Sequence, residues 1–124
     1  RDLAASRAPW KIALLHVPLY SLLTRSDNAS LRRVLEPIFR KHGVALVLAG
    51  HDHAYERSKP LDGFTQVIVG TCGAPLEDDE DTQPWIEKRL LRYGVLMGQA
   101  DSRRLKFEFV GDDNQILDSF ELVK

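Results

Sequence analysis

Apolar residues follow two regimes along the chain. Up to Val69 they form short unbroken runs between polar stretches, and from Tyr93 onward they alternate with polar residues. The run Lys11-Ile12-Ala13-Leu14-Leu15 predicts a buried strand ending at His16, framed by Pro9 before it and Pro18 after it. The polar stretch 21–29 reads as a loop, with Asn28 or Ser30 placed to cap the helix that follows. In that helix, predicted over residues 30–42, Leu31, Val34, Leu35, Ile38 and Phe39 recur at helical spacing as one apolar stripe. Pro37 removes a backbone donor and crowds the preceding turn, which predicts a kink or a late start. Gly43 supplies the stop.

Residues 44–49 are apolar throughout, the pattern of a strand covered on both faces. Strand, helix and strand in this order form a βαβ unit with a right-handed crossover. Residues 51–62 read as a polar loop, and Thr65–Val69 as a third strand closed by Gly70 and a Gly73-Ala74-Pro75 turn. Glu77-Asp78-Asp79-Glu80-Asp81 reads as a solvated or mobile loop; a calcium loop would carry Gly or Asn between its acids. Residues 93–100, 104–110 and 116–122 read as an antiparallel meander with one wet and one dry side. Leu105, Phe107 and Phe109 alternate with Lys106 and Glu108 there, and Ile116, Phe120 and Leu122 share a face. The predicted class is α/β: a βαβ unit followed by a C-terminal antiparallel β meander.

Composition narrows the functional classes. At 124 residues, 44% apolar and 28% charged, the chain is one domain, able to bury about two-thirds of its unfolded surface. Seventeen basic against eighteen acidic residues give a formal charge of −1. That balance carries no footprint for nucleic acid or an anionic membrane. No apolar run approaches the ~20 residues of a spanning helix, and no signal-like segment opens the chain. The single cysteine, Cys72, excludes an intrachain disulfide and a cysteine-based zinc cluster. Residues 1–7 read as the tail of a helix begun upstream, which predicts a piece cut from a longer protein.

The chemistry concentrates in histidines. His16 follows one predicted parallel strand, and His51 and His53 follow the next. Ligands of open α/β sheets bind outside the carboxyl ends of the strands. Neighbouring strands lie about 5 Å apart, so His16 and His51 can reach one ion. In extended backbone the i and i+2 side chains share a side roughly 6.5 Å apart. His51 and His53 therefore share one metal or serve one each of two metals about 3.5–4 Å apart. Neutral imidazole suits zinc, iron, manganese-type and copper ions. Gly50 allows the sharp exit from the strand. His42 reads as a helix-terminal residue outside any ligand set. Glu56 and Arg57 read as an ion pair fixing the loop, with Tyr55 and Arg57 as alternative contacts to a phosphate.

Gly50-His51-Asp52-His53-Ala54-Tyr55-Glu56-Arg57 closely resembles the Gly-His-x-His signature of calcineurin-like metallophosphoesterases, in the extended form typical of purple acid phosphatases. Ala13-Leu14-Leu15-His16-Val17-Pro18-Leu19-Tyr20 resembles the single-histidine motif preceding it, and residues 111–120 resemble the family's terminal hairpin. The resemblance implies the C-terminal half of an α/β/β/α metallophosphoesterase sandwich, with residues 1–124 as the C-terminal portion of the catalytic domain. It also implies a binuclear centre of iron, zinc or manganese in which His16 and His51 bind one metal and His53 the other. The family's remaining ligands belong to an N-terminal half, and none of their motifs occurs here. Val17 departs from a second histidine frequent in relatives.

The implied activity is metal-dependent hydrolysis of phosphate esters by the parent protein; Tyr55 and Arg57 are the substrate contacts that side-chain chemistry offers. Secreted or periplasmic location follows from the same resemblance. Three imidazoles without carboxylates hold metal weakly, so the isolated chain is expected to be nearly inactive. A half-sandwich also exposes apolar sheet surface, which predicts docking of the missing N-terminal half or self-association. Two other readings stay open: a non-catalytic metal-binding or partner-docking module, and a mononuclear zinc hydrolase with three histidine ligands.

Overall fold

The structure is a computed structural model, and it describes residues 1–23, 28–78 and 82–124. After a single helical turn, α1 (Asp2–Ala5), the chain forms β1 (Ile12–Leu14), α2 (Ala29–His42), β2 (Leu46–Ala49), β3 (Tyr55–Ser58), β4 (Thr65–Val69), β5 (Ile86–Leu90), β6 (Gly94–Ala100), β7 (Arg104–Gly111) and β8 (Ile116–Val123). Among the described residues these strands build a five-stranded sheet, ordered β1-β2-β4-β3-β5, and a three-stranded sheet, β6-β7-β8. The first is mixed: β1, β2 and β4 run parallel, and β3 is antiparallel to β4 and β5. The second is the antiparallel meander that alternation predicts.

The predicted βαβ unit is β1-α2-β2. Asn28 caps α2, its side chain accepting from the Leu31 N–H at 2.9 Å, and Gly43 ends it in the left-handed region at φ 67°. The helix starts at Ala29 and runs through Pro37 to His42, so the proline does not delay it. Packing carries it past the missing donor: Leu31, Leu35 and Phe39 lie against Val44, Val47 and Phe64 of the large sheet's outer face. The apolar stripe is only half used. Val34 and Ile38, offset from that row, are 60% and 41% exposed, because a single sheet flanks the helix.

Alternation along β2 divides its side chains between two cores. Val47 faces α2, whereas Leu46 joins Tyr55, Val67, Leu105, Phe107 and Phe109 between the sheets. The order helix, large sheet, small sheet gives three layers of an α/β/β/α sandwich. In the meander Leu105, Phe107 and Phe109 are buried as predicted. Ile116 is not on the dry side: it is 58% exposed. A register shift after Phe109 pairs Asp118 with Phe109 and Ile116 with Val110. Leu117 thus packs against the core in place of Ile116.

Two strands lie where the pattern shows loops. β3 occupies part of the polar stretch 51–62, and β5 lies in a segment with no strand signal. Their charged residues pair across the sheet instead of facing water: Glu56 and Arg89 are register partners, 3.2 Å apart. The expected Glu56–Arg57 pair does not form, since consecutive strand residues point to opposite faces. Of the acidic run, Glu77 and Asp78 are tied down. The Glu77 N–H donates to the His53 carbonyl (3.1 Å), and Asp78 accepts from Arg89 (3.1 Å). The expectation for residues 79–81 lies outside the described residues, as does that for residues 24–27.

Candidate metal centre

Parallel pairing fixes where two of the histidines meet. Leu14 lies opposite Leu48 in the β1–β2 register. The ladder continues past the strand ends, with Leu15 N–H donating to Leu48 (2.9 Å) and Gly50 N–H to the His16 carbonyl (3.1 Å). Sequence order alone therefore sets His16 beside the Gly50-His51 step. His51 then takes a left-handed backbone, φ 69°, an uncommon conformation for a residue with a side chain and one that clusters at functional sites. The next peptide packs against the end of β4. A Cβ on Gly70 would stand 2.0 Å from the Asp52 carbonyl oxygen, so only glycine admits that approach.

This turn brings His51 Nδ1 to 3.3 Å from His16 Nε2, with the rings edge to face at 82°. Two nitrogens bound to one zinc at about 2.0–2.1 Å in tetrahedral geometry stand about 3.3–3.4 Å apart. The pair is spaced as neighbouring ligands of one cation are. His53 is held differently: its Nδ1 lies 2.9 Å from the Pro75 carbonyl and 3.9 Å from Glu77 Oε2. A carbonyl only accepts, so this contact assigns the proton to Nδ1 and leaves the lone pair on Nε2. The three rings line one cleft of about 490 Å³ with Val69, Gly70, Cys72 and Ala74.

Among the described residues no three His, Cys, Asp or Glu side chains converge on a single ion position. The three imidazoles stand as a close His16–His51 pair and a separate His53 ring held at the Pro75 carbonyl. Neutral imidazoles with free lone pairs fit divalent transition metals. His16 and His51 place two such nitrogens at the spacing of neighbouring ligands.

Both loops are braced from behind. Gln66, buried on β4, accepts from the Leu19 and Tyr20 N–H groups (2.8 and 3.1 Å) and donates to the Tyr20 carbonyl (2.7 Å). Arg32 of α2 donates to the Leu19 carbonyl at 2.7 Å. The segment that follows His16 is thus clamped by the sheet and the helix together. Sequence reading missed Gln66 and Pro75, which carry no motif.

Tyr55 and Arg57 do not line the cleft. Tyr55 is fully buried between the sheets, stacked on Phe109 with centroids 4.1 Å apart. Its hydroxyl donates to Asp118 (2.7 Å), and Arg57 grips the same carboxylate through Nε (2.7 Å) and Nη2 (3.2 Å). The structure therefore gives both residues to an inter-sheet brace. Burial raises the Asp118 carboxyl, but the bonds from Arg57 and Tyr55 outweigh it and hold the group below the usual carboxylate range. Burial, reinforced by Asp118, pushes the Tyr55 hydroxyl far above its ordinary value. Asp118 was visible in principle, as the polar residue on the same face of β8 as Phe120 and Leu122.

Two family profiles match in tandem: calcineurin-like phosphoesterase over residues 1–55 and iron/zinc purple acid phosphatase-like protein C over residues 63–119. Purple acid phosphatase 1 of Ipomoea batatas is 34% identical over 76 residues, covering 60% of this chain and 16% of its own. The Fe(3+)-Zn(2+) purple acid phosphatase 12 of Arabidopsis thaliana is 37% identical over 76 residues, with the same coverage. Among solved structures, a purple acid phosphatase isolated from yellow lupin (Lupinus luteus) seeds superposes with TM-score 0.89 at 27% identity, over 98% of this chain and 26% of that one. The chain spans about one sixth of the length of these curated relatives. With its histidine crevice, its sandwich layers and both profiles in agreement, the chain belongs to the calcineurin-like metallophosphoesterases, on the purple acid phosphatase side of that family.

Proposed function

We propose that the chain supplies the C-terminal histidine ligands of a binuclear metal centre that hydrolyses phosphate esters. The observation that carries this reading is the 3.3 Å approach of His16 Nε2 and His51 Nδ1. In the proposed division these two nitrogens hold one cation, and His53, through Nε2, serves the second. When bound, a metal pair clamps phosphate oxygens and lowers the pKa of bound water. The chain's own residues orient the ligands: the Pro75 carbonyl sets the His53 tautomer, Gln66 clamps the segment after His16, and the left-handed turn aims His51. The Fe(3+)-Zn(2+) relative supports iron and zinc as the metals, with manganese chemically compatible.

The remaining ligands belong to the N-terminal half of such a domain. The half-open mouth between the sheets is its proposed seat, with a second copy of this chain as substitute when that half is absent. Edge strands β1 and β6 expose Leu14 (76%) and Val95 (49%) there, lining an apolar groove of about 390 Å³. Secretion or periplasmic residence follows from the family reading. No helix among the described residues is long and apolar enough to cross a membrane.

The test is complementation. The 124-residue chain alone is expected to hydrolyse a phosphomonoester at background rate, and addition of an N-terminal metallophosphoesterase half is expected to restore turnover. Efficient hydrolysis by the pure chain would overturn the two-half reading.

A further inference from the structure

Asp52 stands between the two histidines of the motif, yet its side chain leaves the cleft. It is 1% exposed. Oδ2 accepts from the Ser21 hydroxyl at 2.5 Å, and Ser21 Oγ in turn accepts from the Leu23 N–H at 2.9 Å. Oδ1 is buried with no hydrogen-bond partner. The other buried carboxylate oxygen without a partner, Glu56 Oε2, belongs to a group already paired with Arg89. Among the described residues Asp52 has no such cation. An isolated buried carboxylate is costly, and a cation arriving at the neighbouring histidines would offset that cost.

We propose that Asp52 is a positioning residue and buried counter-charge for the cation held by His16 and His51, an inference that rests on the metal-centre reading above. It acts in two ways. Its Ser21 bond ties the turn carrying His51 to the segment that follows His16, holding the two imidazole nitrogens at ligand spacing. Its Cα is one residue from that of His51, about 3.8 Å along the backbone, and its carboxylate is buried behind the turn. In that water-poor setting a carboxylate strengthens the attraction of two neutral imidazoles for a dication. The donor set itself carries no negative charge, so this carboxylate is the nearest compensation the motif provides.

The test is titration of the full 124-residue chain with Co(II), read by visible absorption, and with Zn(II), read by histidine ring NMR shifts. Four variants divide the possibilities. His16→Ala and His51→Ala remove ligands and test the centre itself. Asp52→Asn keeps an acceptor for Ser21 but removes the charge, while Ser21→Ala removes the bond and keeps the charge. Asp52→Asn is expected to weaken binding by ~10–100-fold, the usual loss for an outer partner of a ligand. Its Co(II) bands should stay in place, because the donor atoms are the same. Ser21→Ala should weaken binding by less. If Asp52→Asn loses the native circular dichroism spectrum, Asp52→Ser replaces it, with the same drop expected. Wild-type affinity in the charge-free variant, with binding lost in His51→Ala, would overturn the role of Asp52 and leave the centre standing. Absence of histidine shifts in the wild-type chain would overturn both.

Discussion

One octapeptide, Gly50 to Arg57, supplies two regions of opposite character. Its second half runs into β3, where buried Tyr55 and Glu56 and half-buried Arg57 are paired: Tyr55 and Arg57 with Asp118, Glu56 with Arg89. Its first half is a turn in which His51 holds a left-handed backbone, Asp52 keeps a partnerless buried oxygen, and ring nitrogens face an open cleft. The strand pairs its charged side chains within the fold and so contributes stability. The turn instead presents its histidine rings to the cleft, where their nitrogens can meet a ligand. Motif residues are thus not functionally equivalent because they are adjacent; what separates them is whether the fold has already used their bonding capacity.

If that contrast holds, damage to the strand region should cost stability and spare metal binding. Phe109→Ala, which removes the ring stacked on Tyr55, should cost about 3–5 kcal/mol in denaturant unfolding. Asp118→Ala strands a half-buried guanidinium and the buried Tyr55 hydroxyl, and should cost about 1–3 kcal/mol. Where either variant remains folded, its histidine shifts with Zn(II) should match wild type.

The turn region should behave in the reverse way. His51→Gly relieves the left-handed strain and should gain about 1 kcal/mol of stability, while losing the cation held with His16. A variant that lost both stability and binding would merge the two regions and break the comparison.

How much of this was legible beforehand follows the same division. The βαβ unit, the meander and the placing of His16 and His51 beyond neighbouring strands are written in the apolar pattern, although the run at β1 overstates burial: Ile12 and Leu14 of that edge strand are 36% and 76% exposed. β3 and β5 were not legible, because Glu56 is buried, and Arg57 and Arg89 half-buried, by pairing, and composition reads charge as exposure. The substrate role expected of Tyr55 and Arg57 came from side-chain chemistry, whereas their partner, Asp118, lies on β8 in the other sheet. The left-handed turn at His51 and the Pro75 carbonyl on His53 depend on backbone geometry that no residue type announces.

A smaller effect is set by pH. Because the folded Asp118 carboxyl is held below its ordinary value, its contribution is present above the usual aspartate pKa of about 3.9. It is lost as pH falls through the folded value. Tyr55 runs the other way: its folded value is raised, so its contribution is present below about pH 10 and fades as pH rises above it. Asp118→Asn should flatten the acid limb of a stability profile and leave the histidine region unchanged. Least of all should Leu14→Lys with Val95→Lys matter to the fold, within about 0.5 kcal/mol per exposed site. The double variant is expected to reduce self-association in sedimentation, and unchanged association would remove the sheet mouth as a docking surface.

The most direct measurement is anomalous scattering at the zinc edge from crystals of the chain soaked in zinc. The account predicts a peak within bonding distance of both His16 Nε2 and His51 Nδ1. A peak elsewhere, or rings that bind no metal at saturating zinc, would contradict it.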